Sequence, residues 1–245
     1  MHMQLKTKPL AATLFALTLS TSVFAGDDHA AHVTPKPYKP GITMTKAVQA
    51  GITPDSAVDI LKAGNSRFVN GKPVARNLKQ TVSQTGLGQY PFASVVACID
   101  SRSGPETVFD QSVGDLFVAR VAGNTVNEDI LGSLEYAAKV AGSRVIVVLG
   151  HTECGAIKGA CDGVKMGNLT TLLDKFQPAV SKAKTEGERN SKNRQFVKEV
   201  IELNVDETIQ TIRSKSPILK EMEEAGKIKI VGALLDVGTG KVTWR

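Results

Sequence analysis

Two short clusters hold the side chains of this 245-residue chain best suited to chemistry. One is Cys98-Ile99-Asp100-Ser101-Arg102, the other His151-Thr152-Glu153-Cys154-Gly155. Zinc takes thiolate and imidazole ligands in a tetrahedron, and a catalytic zinc site uses three protein ligands with one place open. Cys98, His151 and Cys154 supply that set. A lone H-x-x-C is weak evidence, and a lone Cys after a strand is weaker still. The histidine census adds to it: His2, His29 and His32 lie in the first 32 residues, so His151 is alone in the rest. From the residues alone, Cys98 and Cys154 read as metal ligands, as a disulfide or as two buried thiols. Asp100 and Arg102 read equally as a catalytic pair or a loop ion pair.

The elements that must bring these clusters together alternate in a regular way. Residues 93–99 (ASVVACI), 116–121 and 144–150 (RVIVVLG) are short apolar runs rich in β-branched residues, and predict buried strands. Between the last two, residues 127–141 place Ile130, Leu131, Leu134 and Ala138 on one helical face, with Gly142 as the stop. Thr53-Pro54-Asp55 is a helix start (N-cap, Pro at the first helical position, an acid in the first turn), and that helix stops near Asn70-Gly71. Residues 168–226 read as helices broken at Gly187 and Pro217. Residues 228–235 predict a further strand, and 241–244 a short last one. The alternation implies an α/β fold with a mainly parallel central sheet flanked by helices and an N-terminal helical arm. Both clusters then follow strands, and open α/β sheets build their sites at the carboxyl ends of strands.

The ends and the charge bound the rest. Lys6 and Lys8, an apolar stretch over residues 10–23 and Val23-Phe24-Ala25 form the three-part pattern of a secretory signal cleaved after Ala25. The apolar stretch is short of the roughly 20 residues that span a bilayer. The expected organisation is a signal peptide over 1–25, a Pro- and Gly-rich linker over 26–42 and one domain over 43–245, exported and periplasmic. The linker's His29 and His32 read as solvated residues more readily than as a metal pair. Without its signal the chain carries +4 instead of +6, because Lys6 and Lys8 are the only charged side chains lost. The densest basic stretch, residues 182–198, has no aromatic ladder and reads as a solvated helix face, not a nucleic-acid site. Three cysteines in an exported chain call for protection from oxidation, and metal coordination of two would give it. Cys161 reads as a small buried core residue.

ACIDSR at 97–102 and GHTECGA at 150–156 resemble the signature of the β-class carbonic anhydrases, and the likeness covers nearly all of residues 50–245. It implies Cys98, His151 and Cys154 as ligands of one Zn2+ per chain, with Asp100 and Arg102 as the catalytic dyad. The implied reaction is reversible hydration of CO2 to bicarbonate and a proton by attack of zinc-bound hydroxide, since zinc lowers the pKa of water from about 15.7 toward about 7. Gln89 matches a family position facing the substrate oxygen across a dimer interface, and the Gly155 N–H is the second donor implied. The implied assembly is a homodimer or a dimer of dimers, with no nucleic-acid partner and no membrane association after signal cleavage. The alternative on the same fold is hydrolysis of carbonyl sulfide or carbon disulfide. Glu153, between two ligands, is left open between a supporting and an exposed role.

Some family members close at lower pH, when the aspartate matching Asp100 moves onto zinc as a fourth ligand and bicarbonate binds a Trp, Val and Arg pocket that favours this form. Here Arg120 keeps the Arg, but Val95 and Ser103 stand where the Trp and Val would be. A ligand shifts a two-state equilibrium only by its difference in affinity between the states. The expected site is therefore open, with Asp100 on Arg102 and no cooperative bicarbonate inhibition. A rate series across neutral pH at several bicarbonate concentrations checks this, and sigmoidal inhibition that steepens as pH falls contradicts it.

Overall fold

The computed structural model describes residues 33–245. The signal, its cleavage point, His29 and His32 lie outside the described residues. Five strands form the sheet: β1 (Ala93–Ala97), β2 (Leu116–Arg120), β3 (Val145–His151), β4 (Lys229–Leu235) and β5 (Val242–Trp244). Their order is β2-β1-β3-β4-β5, parallel throughout except for β5, which runs antiparallel to β4. From β1 the chain passes to β2 on one side and later to β3 on the other. Strand order thus reverses between β1 and β3, and the crevice at such a reversal is where open α/β sheets place their ligands.

Successive strand residues point to opposite faces, and the core divides accordingly. Ala93, Val95 and Ala97 of β1 and Val145, Val147 and Leu149 of β3 face α2 (Pro54–Val69), packed with Leu61, Phe92 and Phe109. Val96, Ile146 and Val148 face the other way, onto Val205, Ile209 and Ile212 of α9 (Arg194–Lys215) and Leu219 of α10 (Pro217–Glu224). A third cluster joins Cys98 and Cys154 to Ile157, Phe176, Phe196 and Val200. It lies between α9, α6 (Gly155–Cys161), α7 (Gly167–Asp174) and α8 (Gln177–Lys182).

Helix α2 begins as its residues dictate. Thr53 and Ser56 exchange side-chain and backbone hydrogen bonds in a capping box, and Pro54 opens the helix. It is preceded by α1 (Lys46–Ala50), which the sequence reading did not separate; α3 (Leu78–Thr85) and α4 (Pro105–Val108) are likewise additions. The helix expected over 127–141 is α-helical only as α5 (Glu128–Glu135). It widens into a π-turn at Tyr136–Val140, where Ala141 N–H donates to Tyr136 O at 3.0 Å, before Gly142 (φ 81) ends it. Residues 33–42 carry no helix or strand, yet Tyr38 packs on the core with its ring 6.2 Å from that of Phe92. Among the described residues no helix is long and apolar enough to cross a membrane.

Asp115 is the buried acid at the entrance to β2. Its Oδ2 accepts from Ser112 N–H at 2.7 Å, its carbonyl accepts from Phe92 N–H at 3.0 Å, and it is only 3% exposed. Burial pushes its carboxyl up to about 6. The folded chain then holds a proton that the unfolded chain releases near pH 3.9. Stability from this group is complete below about pH 4, falls as pH rises toward about 6 and is level above that. Asp115→Asn, which keeps the acceptor and cannot ionise, is expected to remove this slope and to gain up to about 3 kcal/mol over wild type at pH 7. Urea midpoints measured across that window check it; equal slopes in both proteins contradict it.

Candidate metal centre

Three donors converge where two strands end and a helix begins. Cys98 directly follows β1, His151 closes β3 and Cys154 caps α6. Ala97 lies beside Leu149 in the sheet, so strand register alone brings Cys98 close to His151. A tight turn through Glu153, whose φ of 60 is left-handed, returns the chain so that Cys154 joins them. Such a conformation in a residue other than glycine costs about 1–3 kcal/mol and persists only where its surroundings enforce it. The two Sγ atoms and a ring nitrogen of His151 lie within 4.8 Å of one another, and all three residues are buried. All three cysteines are free thiols, which sets aside the disulfide.

The group fits a soft dication on three counts. The His151 Nδ1–H donates to Thr152 O at 2.8 Å, which leaves the lone pair on Nε2. That Nε2 is buried and has no hydrogen-bond partner among the described residues, a condition that buried polar atoms rarely tolerate. The thiols compete for charge as well. The hydrogen bond from Cys154 holds Cys98 down to about 4 against its burial. The same bond and burial push Cys154 up. Burial presses the His151 imidazolium down, but the Cys98 thiolate outweighs it and the net direction is up. Two thiolates side by side repel; a bound dication removes the conflict and lets both ionise. Two sulfurs and one imidazole form a donor set for zinc, where magnesium and calcium take oxygen.

Asp100 sits at the rim with both oxygens engaged by Arg102. The backbone N–H and Nε of Arg102 donate to Oδ1 at 2.9 and 3.0 Å, and Nη2 donates to Oδ2 at 2.8 Å. That guanidinium holds the Asp100 carboxyl well below the usual carboxylate range. Oδ2 is also 4.0 Å from His151 Nδ1, so the dyad adjoins the metal group. The loop carrying it is pinned from β2: Arg120 donates to Cys98 O at 2.8 Å and to Asp100 O at 2.6 Å. Ser103 is buried and donates to Asp100 O at 2.9 Å, while Val95 is fully buried inside β1. Arg120 and Ser103 thus serve the loop backbone.

The other expected residues divide. Gly155 opens α6, where its N–H has no acceptor in the preceding turn, and the space where a side chain would start is clear to 4 Å. Gln89 is exposed on the segment leading into β1. It therefore lies toward the amino end of a strand whose carboxyl end carries Cys98. Glu153 is exposed and tied in ion pairs with Lys158 and, at 3.3 Å, Arg194. With Arg102 they line one side of a cleft of about 820 Å³. Cys161 is buried in the third core cluster, and burial pushes its thiol up to about 11. One contact had no signal in the sequence: Gly123 N–H donates to Cys98 Sγ at 3.3 Å.

A family model for carbonic anhydrase matches residues 93–242. The chain belongs to the carbonic anhydrase family. It is 36% identical over 200 residues to a protein named carbonic anhydrase 2 from Mycobacterium tuberculosis, covering 78% of this chain and 93% of that one. It is 33% identical over 199 residues to the carbonic anhydrase of Mycolicibacterium smegmatis, again covering 78% and 93%. One of two β-carbonic anhydrases from the ascomycete Sordaria macrospora, described as tetrameric, superposes with a TM-score of 0.59 at 26% identity, covering 66% of this chain and 84% of that one. The mainly parallel sheet with its flanking helices is the β-class fold, and members of this class are carbonate dehydratases.

If the three donors act as one site, Cys98→Ser and Cys154→Ser should each lose bound metal, because each removes a ligand. Metal analysis of the purified proteins checks this, with about one ion per chain expected in wild type. Full occupancy in either variant contradicts the assignment.

Proposed function

We propose that this β-class carbonic anhydrase is a zinc enzyme interconverting CO2 and bicarbonate, with Cys98, His151 and Cys154 as the ligands. One arrangement carries the reading: two buried sulfurs and a ring nitrogen of His151, whose Nε2 has no partner among the described residues, lie within 4.8 Å beside a carboxylate that Arg102 holds ionised. Zinc, when bound, acts as a Lewis acid that makes ionised water available at neutral pH. Asp100 would accept a hydrogen bond from the O–H of the attacking water and so orient a lone pair toward the carbon of CO2. Arg102 aims Asp100 through its charge-assisted fork and keeps it from taking up the proton. The Gly155 N–H, free at the start of α6, donates to a substrate oxygen.

Gln89 is assigned to the neighbouring protomer's site. Within one chain β1 separates it from the metal group, and five strand residues span about 17 Å. A homodimer, or a dimer of dimers, is supported by the outer edge of β2, which pairs with β1 alone among the described residues. That edge presents Leu116, Phe117, Val118 and Ala119 half-buried, with exposed Tyr136 beside Phe117. An uncovered apolar edge strand invites pairing with another chain. Export to the periplasm rests on the signal pattern of residues 1–25.

The deciding experiment is stopped-flow CO2 hydration by the protein beginning at Gly26, with zinc content measured on the same sample and carbonyl sulfide and carbon disulfide assayed beside it. Zinc-dependent CO2 hydration is expected. Zinc-loaded protein that turns over only the sulfur compounds contradicts the reading. Asp100→Asn should keep its zinc and lose about 10- to 100-fold in rate; a wild-type rate reduces Asp100–Arg102 to a loop ion pair.

A further inference from the structure

One hydrogen bond to the metal group comes from outside both sequence clusters, and its support can be traced to a distant helix. Gly123 donates its N–H to Cys98 Sγ at 3.3 Å. It sits in a short turn after β2 with a left-handed φ of 75, and it is buried. A side chain there would be blocked: a Cβ would come 2.4 Å from the ring of Phe176, which is fully buried between α7 and α8. On the other side, Asn204 of α9 donates from Nδ2 to Gly123 O at 2.8 Å. Asn204 is 3% exposed, on a largely apolar helix face with Val197, Val200, Ile201, Val205 and Ile209, where Thr208 is the other buried polar residue. A buried amide in an apolar face is costly unless its hydrogen bond is satisfied, and satisfied networks of this kind fix a single arrangement.

We propose that Asn204 is a positioning residue for the metal centre, acting through Gly123 on Cys98. Asn204 holds the Gly123 carbonyl, the carbonyl fixes the left-handed turn, and the turn aims the Gly123 N–H at the sulfur. An N–H on a thiolate ligand draws charge from the sulfur and restricts where its lone pairs point, so it tunes both the strength and the direction of sulfur-to-metal donation. Among the described residues no residue of α9 hydrogen-bonds Cys98, His151 or Cys154 directly, and Asn204 reaches Cys98 only through Gly123. The inference rests on the zinc reading above.

The test uses the mature protein and two probes, zinc and cobalt(II). Zinc affinity is measured by competition with a chelator, and the thiolate-to-cobalt charge-transfer band is recorded on the cobalt-loaded protein. Asn204→Leu keeps the size of the side chain and removes the donor. It is expected to weaken zinc binding about 10- to 100-fold, the usual cost of losing a partner of a metal ligand, and to displace the charge-transfer band. Thr208→Val, equally buried on the same helix at 3% exposure, controls for general loosening of α9 and should change neither readout. Should the leucine variant fail to fold, Asn204→Ser, which shortens the side chain and keeps a polar group, removes the direct bond and should weaken binding in the same direction. A folded Asn204 variant with wild-type affinity and an unmoved band overturns the proposal, as does an equal loss in Thr208→Val. Wild-type protein that binds neither metal overturns the zinc reading and this inference with it, whereas normal wild-type binding beside an unaffected Asn204 variant overturns this inference alone.

Discussion

Two thiols and an imidazole buried within 4.8 Å of one another are an electrostatic liability on which the rest of the structure depends. Left to themselves the sulfurs share one negative charge, Cys98 pushed down and Cys154 pushed up, and the imidazole keeps a buried nitrogen unsatisfied. A chain arranged only for stability would fill the space with apolar side chains, since buried ionisable groups rarely repay their desolvation. Carrying the liability makes sense where a soft dication offsets it, and three such donors leave a fourth place for chemistry.

The fold meets this cost with rigid elements. β1 and β3 are neighbouring inner strands whose residues are buried along their whole length, so Cys98 and His151 are placed by the most deeply buried part of the sheet. Cys154 caps α6, where unpaired backbone N–H groups favour negative charge on sulfur. Around this, polar contacts are divided by task. Arg120 and Ser103 hold the carbonyls of the Cys98–Asp100 loop, Thr152 sets the imidazole tautomer, and Gly123 touches the sulfur. Arg102 is then left free to hold Asp100, engaging both oxygens with its side chain and Oδ1 with its backbone N–H as well. Two arginines four ångströms or less from the same loop backbone or its carboxylate thus have separate duties: Arg120 fixes the main chain and Arg102 fixes the carboxylate.

What the sequence made legible follows from how local each signal is. The strands at 93–99 and 144–150 could be read because a fully buried parallel strand is a plain apolar run, and the clusters behind them because ligands fall at strand ends. The start of α2 was written in Thr53-Pro54-Asp55. The π-turn at Tyr136–Val140 was not legible, since apolar spacing does not distinguish one hydrogen-bond ring size from the next. Neither were α1, α3 and α4, which are short helices with too few turns to show a period. Gly123 and Asn204 were invisible for another reason: 25 positions separate Gly123 from Cys98 and 81 separate it from Asn204, and only the packed fold makes them neighbours.

Gln89 lies apart from the metal group of its own protomer, at the other end of β1. A strand carries its chemistry at its carboxyl end, and a residue entering the same strand from the amino end is held away from it by the strand's own length. Sequence proximity, nine positions from Cys98, therefore argues against contact within the chain rather than for it. The same strand that separates Gln89 from its own metal group lies beside β2, an apolar edge that no other strand covers among the described residues. On the proposed assembly, a second copy docking on that edge covers apolar surface that a lone protomer leaves to water. In that proposed assembly, the parallel sheet concentrates the ligands at one end and leaves Gln89 to a neighbouring copy.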